Sequence, residues 1–416
     1  MSKENCANNE EFDSIIQCKK CGEIINIDNT KIYNDLLLHN NTINNMLNEL
    51  KNKIEESNNL ENIKDSIKSH INSIISENEK NKEKLKQKLA QDKQAELNND
   101  NNEILKKFDI KLKEPIKKVK SHSSYIKSCT ILNDGRIATG GYDRSIIIHN
   151  KETFEPDIII NEHEVDINYL LKLSSGYLAS CSKDSKIKIF NISGNEYNVI
   201  QTLNHHIKGV NKLLELNNQN LVSCSNDQEH DHFAFSNRGY SIIFYTKSKE
   251  IDNNEYMMDF GIKSESQCTN IIQTKDNEIF YSEYNPSTLC FYDFAEKKII
   301  KKINDIRAQC MEKITSDLLL VGGYNKLFVI NINSHNLIRT IDCSDSRFVY
   351  DICVLSDNVV LTGDEESNIK QWRILGDKLI LISEKKDSDL NNVKSLLKIS
   401  DEHIISCDNS GFLKYW

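Results

Sequence analysis

From residue 126 onward, apolar residues fall into short runs of four to six, broken at regular spacing by polar turns. Seven of these runs share one pattern. They begin at Ile126, Ile167, Val210, Cys268, Cys310, Val349 and Val393. Each is followed by a second apolar run, a tight polar turn and a third run, a pattern of successive strands with a period of about 40 residues. Upstream the pattern changes. Ile43, Leu47, Leu50 and Ile54 step by four, three and four, followed by Leu60, Ile63, Ile67, Ile71, Ile74, Leu85 and Leu89. That spacing puts one apolar stripe on a helix whose other faces carry Lys, Glu, Asn and Ser. A stripe so narrow is covered by pairing with another helix, so residues 36–105 are predicted to form a coiled coil and a homo-oligomer. The imperfect heptad and the many asparagines, poor helix formers, leave a solvated, partly helical stalk as the alternative.

The repeats read as a β-propeller array, and their register can be fixed on the third strands. The last large residues of these strands are His149, Phe190, Tyr245, Tyr292, Ile330, Trp372 and Trp416. Ten residues earlier stand Thr139, Ser180, Ser282, Leu320, Thr362 and Ser406, a small hydroxyl in five of six repeats. The third repeat fits if Gln228 to Gly239 is an insertion, which gives Ser223 and Asp227 the hydroxyl and turn positions.

These residues resemble the WD-repeat family. The tokens are Gly-Gly-Tyr-Asp143-Arg-Ser-Ile-Ile-Ile-His149, Cys-Ser-Lys-Asp184-Ser-Lys-Ile-Lys-Ile-Phe190 and Gly-Asp364-Glu-Glu-Ser-Asn-Ile-Lys-Gln-Trp372, with His122, His163 and His205 or His206 ahead of the first strands. The resemblance covers residues from about 107 to 416. It implies a mainly β fold, a seven-bladed propeller in which a His, a Ser or Thr, a turn Asp and a Trp lock each blade. Here His149 and Phe190 replace Trp, and the fifth repeat lacks nearly every lock residue. In such a ring each repeat donates its fourth strand to the next blade. The seventh blade therefore needs an outer strand from upstream, and the segment near Ile110–Val119 within the linker of residues 106–120 is available to close it. The lysines of that linker alternate with Ile110, Leu112, Ile116 and Val119 as in an edge strand, although a basic run could also address an anionic surface or a nuclear importer.

Composition narrows the function. The formal net charge of −9, with 62 acidic against 53 basic residues, gives no whole-chain attraction to nucleic acid or to an anionic membrane. No apolar run is long enough to span a bilayer, and the first residues do not resemble a signal peptide, so a cytoplasmic protein is expected, with the nucleus as the alternative. Most of the 12 cysteines fall within apolar strands and read as buried thiols. The motifs of nucleotide loops, zinc-protease helices and hydrolase elbows are missing from the sequence, so a binding role is expected and not catalysis.

Three groups of residues are candidates for that role. Those flanking the inner strands, Tyr125, Lys127, Asp166, Asn168, Phe348 and Tyr350, with the turn residues Tyr142, Arg144, Lys183 and Tyr324, are expected to ring the central opening on one face. There they either contact protein or peptide partners or pack between blades. The insertion carries His230, His232, Phe233 and Phe235, a solvated loop or a partner contact. Cys18-Lys-Lys-Cys21-Gly is half of a zinc site, with Cys6 and His39 as the nearby additional ligands. A zinc module ahead of a coiled coil is similar in order to tripartite-motif proteins, although the second Cys pair and the closing His pair are missing. This makes a ubiquitin-ligase accessory or substrate-receptor subunit the alternative to a scaffold.

Overall fold

The computed structural model describes residues 114–416 except 228–238, 249–254, 265, 344–346, 357, 387–388 and 390, together with two short strands near the start of the chain. The chain divides into two units, residues 1–104 and 105–416. In the first, β1 (Ile16–Gln17) pairs antiparallel with β2 (Ile24–Ile25). Cys18 and Cys21 stand between them in sequence and, like the predicted coiled coil at 36–105, lie outside the described residues.

The second unit is mainly β and consists of seven four-stranded antiparallel sheets. They span residues 126–160, 167–203, 210–262, 268–304, 310–342 and 349–386 in sequence order. The seventh combines residues 393–415 with the upstream β3 (Lys117–Lys120). These are the seven blades that the repeat pattern predicts. Blade one shows how each is built. β4 (Ile126–Ile131) begins with a bulge between Ile126 and Ser128, and β5 (Ile137–Gly141) is buried along its whole length. β6 (Ile146–His149) is likewise buried, and β7 (Pro156–Ile160) faces solvent on one side. A second strand buried on both faces has room for Gly140 and Gly141 but little else. A Cβ on Gly141 would stand 2.6 Å from the His122 ring.

The ring has no single core. Seven apolar clusters each join one blade to the next; in one of them Ala138, Ile146 and Ile148 of blade one meet Ile167, Leu170 and Phe190 of blade two. The cluster that closes the circle joins Val119, Ile405, Cys407 and Leu413 of blade seven to Ile126, Ile137 and Phe154 of blade one. β3 pairs antiparallel with Phe412–Tyr415, placing Lys117 opposite Tyr415 and Val119 opposite Leu413. The upstream segment therefore closes the ring as expected, through Lys117–Lys120 among the described residues. Val119 is its buried residue, whereas Ile116 is 68% exposed and residues 110–113 lie outside the described residues.

Candidate functional site

Two sets of polar residues recur around the ring. The first locks the blades. In blade one His122 Nδ1 lies 2.8 Å from Asp143 Oδ1 and Nε2 lies 2.8 Å from Thr139 Oγ1, which in turn is 2.8 Å from His149 Nε2. Blades two and three repeat the arrangement with His163, Ser180 and Asp184, and with His206, Ser223 and Asp227. The third set decides between the two histidines of that repeat, since His205 packs instead against the ring of Tyr245. In blades six and seven the indole N–H of Trp372 donates to Thr362 and that of Trp416 to Ser406. Blade five replaces the lock by buried Leu320 and Ile330.

These histidines and aspartates resemble parts of a catalytic relay, yet their chemistry is structural. Burial alone would raise the Asp184 carboxyl, but the hydrogen bond and charge of His163 outweigh it and hold it at about 2. Asp143 is held below the usual carboxylate range in the same way, by His122 against burial. His149 is pushed down to about 4 by burial, so it is neutral at pH 7. Its Nδ1 lies 3.0 Å from the Phe154 carbonyl, which can only accept, so Nδ1 carries the proton.

The second set surrounds the axis. The second residues of the seven inner strands are Lys127, Asn168, Asn211, Thr269, Met311, Tyr350 and Lys394, and all line one axial cavity of about 620 Å³. The third residues, Ser128, Tyr169, Lys212, Asn270, Glu312, Asp351 and Ser395, form the layer beneath. Hydrogen bonds stitch neighbouring blades through these layers. Lys127 Nζ donates to Asn168 Oδ1 at 2.9 Å, Asn168 Nδ2 to the Val210 carbonyl at 2.7 Å and Asn211 Nδ2 to the Cys268 carbonyl at 2.8 Å. Asn270 Nδ2 reaches the Gln309 carbonyl at 2.8 Å, and the Leu396 amide and Ser395 hydroxyl both donate to Asp351. Burial pushes Asp351 up to about 6, against the hydrogen bond from Leu396 and the charge of Lys212.

At the strand-start end of the cavity the residues expected to ring the opening come together in two groups. Tyr125, 42% exposed, stacks on Tyr142 at 5.3 Å between centroids. Lys183 Nζ lies 4.5 Å from the Tyr142 ring and pairs with Asp166 at 2.6 Å. Across the opening Tyr324, Phe348 and Tyr350 form a ladder, with centroids 5.0 Å and then 6.2 Å apart. Phe348 is half-buried between its neighbours, so packing accounts for much of its surface.

Tyr125, Lys127, Tyr142, Asn168 and Tyr350 thus line the cavity, while Asp166, Lys183, Tyr324 and Phe348 form its rim. Arg144 is not among the residues that line the cavity. It is an exposed turn residue at φ 72°, the position that Ser185, Ser367 and Gly411 occupy with the same left-handed backbone in their blades. Its conformation answers to the turn and not to the opening. His230, His232, Phe233 and Phe235 lie outside the described residues.

The sequence reading missed Lys394, Lys212, Asn270, Glu312 and Asp351, although the same register that selects Lys127 and Tyr350 points to them. It also missed Arg307, which stands 4.4 Å from the Tyr284 ring and 5.3 Å from that of Phe348. Arg307 comes from a loop whose position no periodicity marks.

Among the described residues no group of three or more His, Cys, Asp or Glu is placed to hold a metal ion, and no helix is long and apolar enough to cross a membrane. All nine described cysteines are free thiols, eight of them buried.

The WD domain, G-beta repeat model matches residues 113–150, which hold β3 and blade one up to the end of its third strand. No curated protein matches the chain. The seven blades, with the His–hydroxyl–Asp lock in three of them, together with that match support a propeller of the WD-repeat type, a fold that generally serves as a protein-interaction scaffold.

Proposed function

We propose that this protein is a non-enzymatic interaction scaffold whose propeller docks a peptide or protein segment at the strand-start mouth of its axial cavity. The supporting observation is the mouth itself, where exposed and half-buried aromatic rings flank a polar cavity in two groups. Aromatic side chains bury much area with few torsions lost, and a rigid rim lowers the ordering cost of binding. In this reading residues 36–105 self-associate, so that two or more propellers engage a partner together and weak single contacts gain avidity. The setting is cytoplasmic.

The test is affinity capture from native cells by the full-length chain, with light scattering to count subunits. Replacing Tyr125 and Tyr350 by Ala is expected to remove most partners while the melting temperature holds. Retention of every partner by that variant overturns the choice of face. A second reading, a ubiquitin-ligase accessory subunit with zinc held at the N-terminus, rests on Cys18-Lys-Lys-Cys21 standing between β1 and β2 in sequence. It expects stoichiometric zinc in the purified chain, lost on Cys18→Ser with Cys21→Ser, and zinc-free protein rules it out.

A further inference from the structure

The charges at this mouth do not balance in the ordinary way. Lys127 and Lys394 stand at the same register position in blades one and seven, neighbours across the ring closure. Neither is in an ion pair with a carboxylate among the described residues. Lys127 donates to the amide oxygen of Asn168, and Lys394 Nζ sits 3.2 Å from the centroid of the Tyr350 ring. Arg307, on the far side of the aromatic ladder, meets only rings and the Tyr284 hydroxyl among the described residues.

Among the described residues, Asp166 is held by Lys183 at 2.6 Å. Glu365, whose Oε2 is buried without a hydrogen-bond partner, favours the charged form of Lys394 from beyond ion-pair distance and forms no pair with it. Asp351 and Glu312 lie a layer deeper, around Lys212. A chain with a formal charge of −9 thus places cations that lack a carboxylate partner among the described residues at the mouth of this cavity.

We propose that this mouth selects an acidic peptide segment, seating a carboxylate side chain against Lys127 and Lys394 while the flanking residues lie on the Tyr125–Tyr142 and Phe348–Tyr350 rings. This deepens the docking reading above and rests on it. The cost of leaving the lysines unpaired shows in their titration. Lys127 is lowered to about 8, first by burial and then by the charge of Lys183. Lys394 is lowered to about 8 by burial and by Lys127, which together outweigh Glu365. A bound carboxylate relieves both effects, because an opposite charge restores the protonated form. The rings accept the apolar parts of the same segment, and the Lys394–Tyr350 contact already present holds one ammonium group inside the mouth. A polynucleotide is the less suitable anion, since the chain as a whole repels it.

The experiment is selection of a phage-displayed random dodecapeptide library on the full-length protein, followed by titration of the selected peptides. Asp and Glu are expected to be enriched over Lys and Arg. Lys127→Gln with Lys394→Gln is expected to weaken the selected peptides about tenfold or more, the scale of losing one charge-assisted contact. The same variant should melt at the same temperature or higher, because it removes two desolvated like charges; a structural role for the lysines would lower the melting point instead. Lys127→Arg with Lys394→Arg should keep the acidic preference. Peptides without acidic enrichment, or an acidic preference that survives the Gln variant, overturn this inference and leave the docking reading standing. Failure to select any peptide overturns both. Tighter binding of oligo-dT than of any peptide, lost in the Gln variant, would assign the mouth to nucleic acid and also overturn it.

Discussion

Replacing Val119 by Asp tests whether the four-residue strand at 117–120 holds the ring shut. Val119 is 6% exposed and packs in one apolar cluster with Ile126, Phe154 and Leu413. Losing the valine burial costs about 1.5–2 kcal/mol. A carboxylate left in the same apolar cluster adds a further cost of about 2 kcal/mol even after it shifts toward its neutral form. The sum is about 4 kcal/mol. Val119→Ala, which leaves only a small cavity, should cost about 1–2 kcal/mol.

Lys118→Ala provides the control. Its pair with Asp389 is about one-third exposed on both sides, so removing it should cost under about 1 kcal/mol. The assay is urea unfolding followed by far-UV circular dichroism, with limited proteolysis at native conditions to ask whether blade seven is cleaved first. If Val119→Asp unfolds within about 1 kcal/mol of the wild type and resists protease equally, the pairing of this strand with Phe412–Tyr415 does not secure the ring.

Asp227→Ala should destabilise by about 3 kcal/mol or more, read by thermal melting, because the His206 ring and the Ile207 and Lys208 amides lose their buried acceptor together. His149 contributes to acid sensitivity. Its proton affinity in the native state, near pH 4, lies below the ordinary value of 6.5, so the stability tied to it is complete above 6.5 and is lost as the pH falls toward 4. The slope is up to about 1.4 kcal/mol per pH unit. Asp351, raised to about 6, acts in the opposite sense, so the measurement is the difference between wild type and His149→Gln across this window. Arg144→Gly should leave partner capture unchanged and raise stability by roughly 0.5 kcal/mol, since glycine relieves the left-handed backbone that an arginine side chain opposes. A loss of partners in that variant would restore Arg144 to the interface.

The ring was largely legible in the sequence because its constraints are local and repeated. A buried hydroxyl ten residues before a buried ring fixes two strands and the turn between them, and five copies of that spacing among seven repeats in one register leave little freedom. The same repetition placed Ser223 and Asp227 correctly beyond an insertion. The site was legible only where register alone controls it. Lys127, Asn168 and Tyr350 follow from their strand positions, and so would Lys394 and Asp351. Arg307 does not, because it reaches Phe348 from a loop with no period. That Lys127 depresses Lys394 is a property of circular closure, which brings together residues from opposite ends of the repeat array.

That closure also bears on how the ring is assembled. The strands that seal it, Lys117–Lys120 and Phe412–Tyr415, lie about 300 residues apart along the chain, so the sealing contact is the most distant the fold contains and among the last to form. During synthesis, the first six blades must wait with the Val119 strand unpartnered and the flank of blade one uncovered. A ribosome-bound chain halted before blade seven is therefore an obvious substrate for holding chaperones, and damage to that blade should reduce the yield of folded protein more than equal damage to blade four.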